Sequence, residues 1–218
     1  MIFENRLQAG EILAKKLSRL DLKAEESVVV AVPRGGVVVA RQVSSTLNIP
    51  LKIIVVKKLG APINPELAIG AVASFGKPVV DRWLTEDLGV TADYIKKEVY
   101  NKKREAKNRE KFLGIKLEVK DFEDKKVVVV DDGLATGQTA KMAAKILRQF
   151  NVAKLILAVP CAPTSAVNEL RREYDEIICL EERNDFMAVG QFYRDFRPVG
   201  DEEVKEILNQ KSKIKNQN

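Results

Sequence analysis

Val127–Thr139 reads VVVVDDGLATGQT. Four β-branched residues run into two adjacent carboxylates, Asp131 and Asp132, and a short loop with Gly133 and Gly137 then leads into a stretch of helical spacing. An unbroken β-branched run closed by turn residues predicts a parallel strand covered on both faces. Ser27–Val32 (SVVVAV) has the same character, and Lys52–Val56, Leu155–Val159 and Glu176–Leu180 resemble it. Between these runs lie amphipathic stretches. Leu7–Leu20 carries Leu7, Ile12, Leu13, Leu17 and Leu20 at helical spacing; Val37–Leu47, Thr139–Phe150 and Pro163–Arg171 follow the same rule. The alternation predicts an α/β fold: an open, Rossmann-like parallel sheet flanked by helices, with right-handed crossovers.

Residues 57–122 break that rhythm. Lys57–Glu66 reads as a loop with Gly60, Pro62, Asn64 and Pro65. Ala68–Ser74 and Pro78–Val80 read as a short antiparallel pair, and Thr91–Leu113 as a long charged helix with a thin apolar stripe at Ile95, Val99, Ala106 and Leu113. This block is expected to be an insertion projecting from the sheet of a single domain, residues 1–208. A C-terminal helix is expected over 201–209, and Lys211–Asn218 reads as a disordered tail.

Composition narrows the chemistry. There is no histidine, so neither a Ser-His-Asp triad nor a histidine-held metal can form within this chain. Cys161 and Cys179 do not make a CxxC pair, which argues against zinc and a disulfide framework. No run reaches the roughly 18 apolar residues of a membrane span, and the opening MIFENRLQAG does not read as a secretory leader. A cytoplasmic protein is the expectation. The formal charge is +6, but residues 96–126 hold 12 basic and 7 acidic side chains, net +5, and 211–218 add +3, so the rest is +6 − 5 − 3 = −2. Mixed signs on a helix read as a solvated face, and nucleic acid is not the expected partner.

Ligands of open α/β sheets bind beyond the carboxyl ends of the strands, where strand order reverses. At such an edge the amides of a glycine-bearing loop opening a helix form an anion cradle. Thr136, Gln138 and Thr139 add donors. The carboxylates of Asp131 and Asp132 repel phosphate and must face vicinal hydroxyls or a metal. A sugar 5-phosphate satisfies both demands. Val32–Gly36 (VPRGG) offers a second anion site, with the planar fork of Arg34 and the open amides of Gly35 and Gly36. Lys57 and Lys58 follow a strand at the same edge, and Lys57, first off the strand, is the expected phosphate partner of the two. Leu59–Glu66 reads as a mobile lid.

The 127–139 stretch resembles the PRPP-binding fingerprint of type I phosphoribosyltransferases. PRGG, VKKLGAP, DDGLATG and AVGQFYRDFRPVGDEEV together look like a group of bacterial and archaeal phosphoribosyltransferase-like proteins, over roughly residues 2–208. The resemblance implies that Asp131 and Asp132 bind the ribose hydroxyls, and that Ala135, Thr136, Gly137, Gln138 and Thr139 hold the 5-phosphate. It implies that Arg34, Gly35 and Gly36, with Lys57, hold pyrophosphate, in a loop expected to contain a non-prolyl cis peptide. The catalytic set is then Asp131, Asp132, Arg34 and Lys57. Mg2+ would enter with PRPP, with Asp131 and Asp132 as its nearest protein oxygens. The family also carries a hood over the base, here 183–200.

In that hood Phe192 and Tyr193, with Asp185, are the candidate nucleobase contacts; as neighbours on an extended segment, one ring should face in and the other out. Relatives acting on 6-oxopurines usually have an aspartate where Ala135 stands, so base assistance would fall to Asp185 or Glu66, or to neither. The implied activity is transfer of the phosphoribosyl group to a nitrogen acceptor, with a homodimer or higher homo-oligomer as the assembly. Two alternatives stay open: a non-catalytic PRPP or nucleotide sensor using the basic helix, and a hydrolase releasing ribose 5-phosphate.

Overall fold

The computed structural model describes the backbone of residues 1–214 and the side chains of residues 1–209. Five parallel strands form the main sheet: β1 (Ser27–Ala31), β2 (Leu51–Ile53), β6 (Lys126–Val130), β7 (Lys154–Pro163) and β8 (Glu176–Arg183), in the order β2-β1-β6-β7-β8. Alternate residues of one strand serve opposite layers. Val28 and Val30 of β1 join Val127 and Val129 of β6 on one face, while Val29, Ala31, Val128 and Val130 pack on the other. Burial on both faces is why Val28–Ala31 and Val127–Val130 hold no polar residue: each valine removed from water contributes about 1.5–3 kcal/mol.

Helices α1 (Arg6–Leu17), α2 (Gly35–Leu47) and α7 (Asp201–Ile214) cover the second face through Leu13, Leu17, Val37, Val43 and Val204. Helices α5 (Gln138–Leu147) and α6 (Thr164–Leu170) cover the first through Ala143, Leu147, Val167 and Leu170. Because β1 leads outward through α2 to β2 and β6 leads the opposite way through α5 to β7, strand order reverses between β1 and β6. Both glycine-bearing loops therefore leave the sheet at one crevice.

A second sheet, antiparallel and three-stranded, is built from β3 (Lys57–Gly60), β4 (Ala68–Val72) and β5 (Val79–Val80), in that order. Lys57–Gly60, expected to open a loop, is thus a strand, and the Lys52–Val56 run yields only the short β2. Its last residues carry the chain from one sheet to the other. Helix α3 (Arg82–Asp87) follows, then α4 (Ala92–Leu113), capped at its start by the Thr91 hydroxyl and at its end by Gly114 in the left-handed region. Ala106 and Leu113 are buried and Ile95 and Val99 are half-buried, as the apolar stripe requires.

The block does not simply project. Tyr94 donates its hydroxyl to the Gly60 carbonyl at 2.9 Å and Lys103 reaches the Gly76 carbonyl at 2.6 Å, tying α4 to the hairpin sheet. Phe75, on the β4–β5 turn, stacks with Phe122 and Phe150 in the main core.

Two smaller expectations fail. Leu7 is exposed and Arg6 is buried, so the inward face of α1 is set by Arg6, Leu13 and Leu17 rather than by Leu7. Helix α7 continues to Ile214, four residues into the stretch read as a disordered tail; residues 215–218 lie outside the described residues.

Candidate functional site

Asp131 and Asp132 stand immediately beyond β6, and Pro33–Gly36 immediately beyond its neighbour β1. The Pro33–Arg34 peptide is cis, as the family resemblance implied. The two loops press on each other. A Cβ added at Gly35 would lie 1.8 Å from Asp132 Oδ2, and one at Gly36 would lie 2.8 Å from both the Cα and the Oδ1 of Asp131. Both glycines are therefore dictated by the acidic pair: no side chain fits between the strand ends.

The two carboxylates differ. Asp131 Oδ1 accepts the Asp132 amide at 2.9 Å. Burial, and then the neighbouring charge of Asp132, hold the Asp131 carboxyl well above the usual carboxylate range. Asp132 is gripped by Arg6, whose Nε donates to Oδ2 at 2.7 Å, with both side chains largely buried. The same guanidinium donates to the Arg197 carbonyl at 2.9 Å and lies 3.9 Å over the Phe196 ring. The Tyr193 hydroxyl donates to the Asp132 carbonyl at 2.6 Å. Arg6, from the first helix, thus joins the acidic pair to the 193–197 segment. Sequence reasoning missed it, since one arginine in a helix of mixed charge carries no mark of a buried partner.

Downstream, Ala135, Thr136, Gln138 and Thr139 are exposed and Gly137 is buried. Gly137 has φ of 72° and is the N-cap of α5. That left-handed residue turns the loop into the helix, and the first amide of α5, that of Gln138, donates to the Thr136 hydroxyl at 3.4 Å. Lys57, Gln138 and Thr139 line one cavity of about 390 Å3 beside the hairpin sheet. Lys57 and Thr139 also line a smaller one of about 90 Å3 with Pro33 and, from α4, Arg109. Lys57 lies 3.4 Å from Glu105 of α4. Lys58 is bound to Glu66 at 2.6 Å, and this pair also borders the larger cavity. Arg34 is exposed.

The expected base contacts are placed differently. Phe192 and Tyr193 are both buried, at 5% and 6% exposure, because Val189–Phe192 forms a 3-10 turn where an extended segment was expected. Phe192 stacks on Phe186, and Tyr193 lies between Phe3 and Phe196. Their faces are taken by other rings. Asp185 is exposed and paired with Arg183, and Glu66 with Lys58; each partner's hydrogen bond holds the carboxyl below its usual value, which makes both weaker bases. Burial pushes both thiols up, that of Cys179 to about 12, so neither is a thiolate nucleophile near neutral pH. Among the described residues no group of three or more acidic or cysteine side chains is placed to hold a metal, and no helix is long and apolar enough to cross a membrane.

A parallel sheet with a glycine-bearing helix start and an acidic pair at its switch point is the frame of phosphate-binding α/β proteins. The chain belongs to the phosphoribosyl transferase family: the family model "Phosphoribosyl transferase domain" matches residues 1–197. It is 38% identical over 212 residues to "Putative phosphoribosyl transferase Rv0571c" of Mycobacterium tuberculosis. That match takes in 95% of this chain and 46% of the relative, so the chain spans about half the length of the curated relatives it matches. The crystal structure of TT1426 from Thermus thermophilus superposes with a TM-score of 0.85 at 36% identity, covering 96% of this chain and 99% of that one. AQ2163 from Aquifex aeolicus shares the fold at 15% identity and a TM-score of 0.50, over 83% of this chain and 77% of that one.

Proposed function

We propose that the protein is a Mg2+-dependent phosphoribosyltransferase, moving the 5-phosphoribosyl group of PRPP to a nitrogen acceptor, a nucleobase, with release of pyrophosphate. The observation that carries this is the packing of Gly35 against the Asp132 carboxylate. It sets the Arg34–Gly36 loop against the acidic pair that leads into 135–139, which supports reading the three as one site. In this reading the amides and hydroxyls of Ala135–Thr139 hold the 5-phosphate. Asp131 and Asp132 take the ribose hydroxyls. Arg34, Gly35, Gly36 and Lys57 hold pyrophosphate.

The C1–O bond breaks with its electron pair leaving on pyrophosphate, and the acceptor nitrogen attacks the opposite face of C1 and gives up its proton. The chain supplies position and charge rather than a covalent nucleophile. Two adjacent carboxylates, with no third such ligand among the described residues, fit Mg2+, which keeps most of its shell as water and substrate oxygen; Asp131 and Asp132 would be its protein neighbours, and it would neutralise the leaving group. With Ala135 offering no base, and Asp185 and Glu66 tied in ion pairs, an acceptor that loses its proton without help is favoured. A homodimer belongs to the same reading and is checked by light scattering.

The test is a nucleobase panel with PRPP and Mg2+, read by mass spectrometry. A new nucleotide together with pyrophosphate supports transfer. PRPP binding with no product across the panel would instead make the protein a sensor, and ribose 5-phosphate alone would make it a hydrolase.

A further inference from the structure

Helix α4 carries more charge than any other element, and one face of it points at the site. Glu105 and Arg109 are four residues apart and so share that face. Glu105 meets Lys57 at 3.4 Å. Arg109 lines the 90 Å3 pocket with Pro33 of the cis peptide, Val55, Lys57 and Thr139. At one end its guanidinium is fixed, Nη2 donating to Asp201 Oδ1 of α7 at 2.6 Å. Its Nε is buried and has no hydrogen-bond partner.

An arginine serving only to tie α4 to α7 would need the Asp201 contact alone. A buried guanidinium N–H left unpaired is costly, and a charged donor makes the cost larger. The pocket is small, and its polar lining is Lys57, Arg109 and Thr139, set against Val32, Pro33, Val55 and Val56. Water takes up about 30 Å3 in the liquid, so the space suits about three waters or one tetrahedral anion. Two cations, Lys57 and Arg109, come from different elements to one cavity bounded by the loop already read as a pyrophosphate site.

We infer that Arg109 is a further anion-binding residue of this site, donating to a phosphate oxygen of pyrophosphate seated beside Pro33 and Lys57, with Thr139 at the border toward the 5-phosphate cradle. The inference rests on the reading given under Proposed function. It extends that site to a helix outside both strand-end loops and gives α4 a ligand-binding role. Asp201 then acts through Arg109 as a positioning residue, holding the guanidinium plane in place.

Calorimetric titration of the full chain in Mg2+ buffer tests this, with inorganic pyrophosphate and ribose 5-phosphate as separate probes. Arg109→Gln is expected to weaken pyrophosphate about tenfold or more, the usual scale for a charge-assisted bond, with ribose 5-phosphate within about twofold of wild type. Arg109→Lys restores the charge without the fork and should recover part of the loss. Retained ribose 5-phosphate binding is also the control for folding. Unchanged pyrophosphate affinity in Arg109→Gln overturns the inference and leaves the wider reading standing. Equal loss of both ligands marks a structural residue and overturns it as well, as does a wild type that binds ribose 5-phosphate but no pyrophosphate. A wild type that binds neither overturns the wider reading and this inference with it.

Discussion

The acidic loop after β6 and the charged helix α4 reach the same crevice by opposite routes. The loop carries its chemistry in adjacent residues: a buried strand delivers Asp131 and Asp132 to the sheet edge, and Gly137 starts α5 six residues after Asp131. The helix carries its chemistry at a spacing of four, among side chains whose main effect is solubility. Only tertiary packing selects Glu105 and Arg109 from the eight basic and four acidic residues of α4. Contiguous chemistry is set by the strand that delivers it, whereas dispersed chemistry depends on where a whole helix docks.

The largest effect that would break this contrast is removal of the acidic pair. Asp131→Asn combined with Asp132→Asn should weaken ribose 5-phosphate on the order of a hundredfold or more, since two charge-assisted hydrogen bonds at about 1.5–3 kcal/mol each are lost. Thermal stabilisation by the ligand should disappear. An unchanged shift would remove both residues from the ribose role and leave the loop no better placed than the helix.

Next come two glycines, one packed on the acidic pair from the loop after β1, the other closing α4. Gly35→Ala puts a methyl group 1.8 Å from Asp132 Oδ2 and 2.8 Å from Arg6 Nε. A forced shift of that size costs about 1–3 kcal/mol and displaces the Arg6–Asp132 pair, so stability and ligand affinity should fall together. Gly114→Ala, at the C-cap of α4, meets nothing within 4 Å and is opposed only by its φ of 68°. It should cost about 1 kcal/mol and leave affinity untouched. Denaturant melts with and without ribose 5-phosphate separate the two; matching affinity losses would erase the distinction between the regions.

The same asymmetry governs what can be read without coordinates. The central strands β1, β6 and β7 were legible because burial on both faces forbids polar residues along their middles, and VVVV or SVVVAV has few other uses; the edge strands β2 and β8 are mostly half-buried and carry charges, and the Lys52–Val56 run became only the short β2. The second sheet was half legible: Ala68–Ser74 and Pro78–Val80 read as an antiparallel pair, and the strands formed are Ala68–Val72 and Val79–Val80, but KKLG at 57–60 carries two lysines and a glycine and gave no such sign. Asp131, Asp132 and their glycines could be picked out because they are neighbours in sequence. Arg6 could not, because its partner lies 126 residues away. Phe192 and Tyr193 were misread for a related reason: alternation assumes an extended chain, and a 3-10 turn turned both rings inward.

A pH measurement sharpens the account of the acidic pair. Burial and Asp132 raise the Asp131 carboxyl in the folded state, so the folded chain holds a proton that the unfolded chain releases. Stability must then fall as pH rises from about 4, the ordinary range for aspartate, through the raised folded value. Asp131→Asn keeps the carbonyl oxygen that accepts the Asp132 amide and removes the titration. This single variant should melt higher than wild type near neutral pH, with the difference closing toward pH 4. A difference that does not change with pH would mean that Asp131 is not strained by its surroundings. The gain in stability should accompany weaker ribose 5-phosphate binding, the usual conflict between a strained site and a stable fold.

The smallest expected effect lies on the helix and has the opposite sign. Glu105 sits 3.4 Å from Lys57 and 2.8 Å from Lys102, and the hydrogen bond from Lys102, above all, lowers its carboxyl below the ordinary value. The Lys57 pair is part exposed, so its loss should change stability by less than about 1 kcal/mol. Without ligand, though, Glu105 competes with any anion for the Lys57 ammonium. Glu105→Gln frees Lys57 and lowers the local negative charge, so pyrophosphate should bind a few-fold more tightly, with ribose 5-phosphate unchanged. Titration in low salt, where such a charge is least screened, gives the clearest reading. Weaker pyrophosphate binding would mean that Glu105 positions Lys57 rather than competing for it, and that the helix supports the site through its ion pairs as well as its cations.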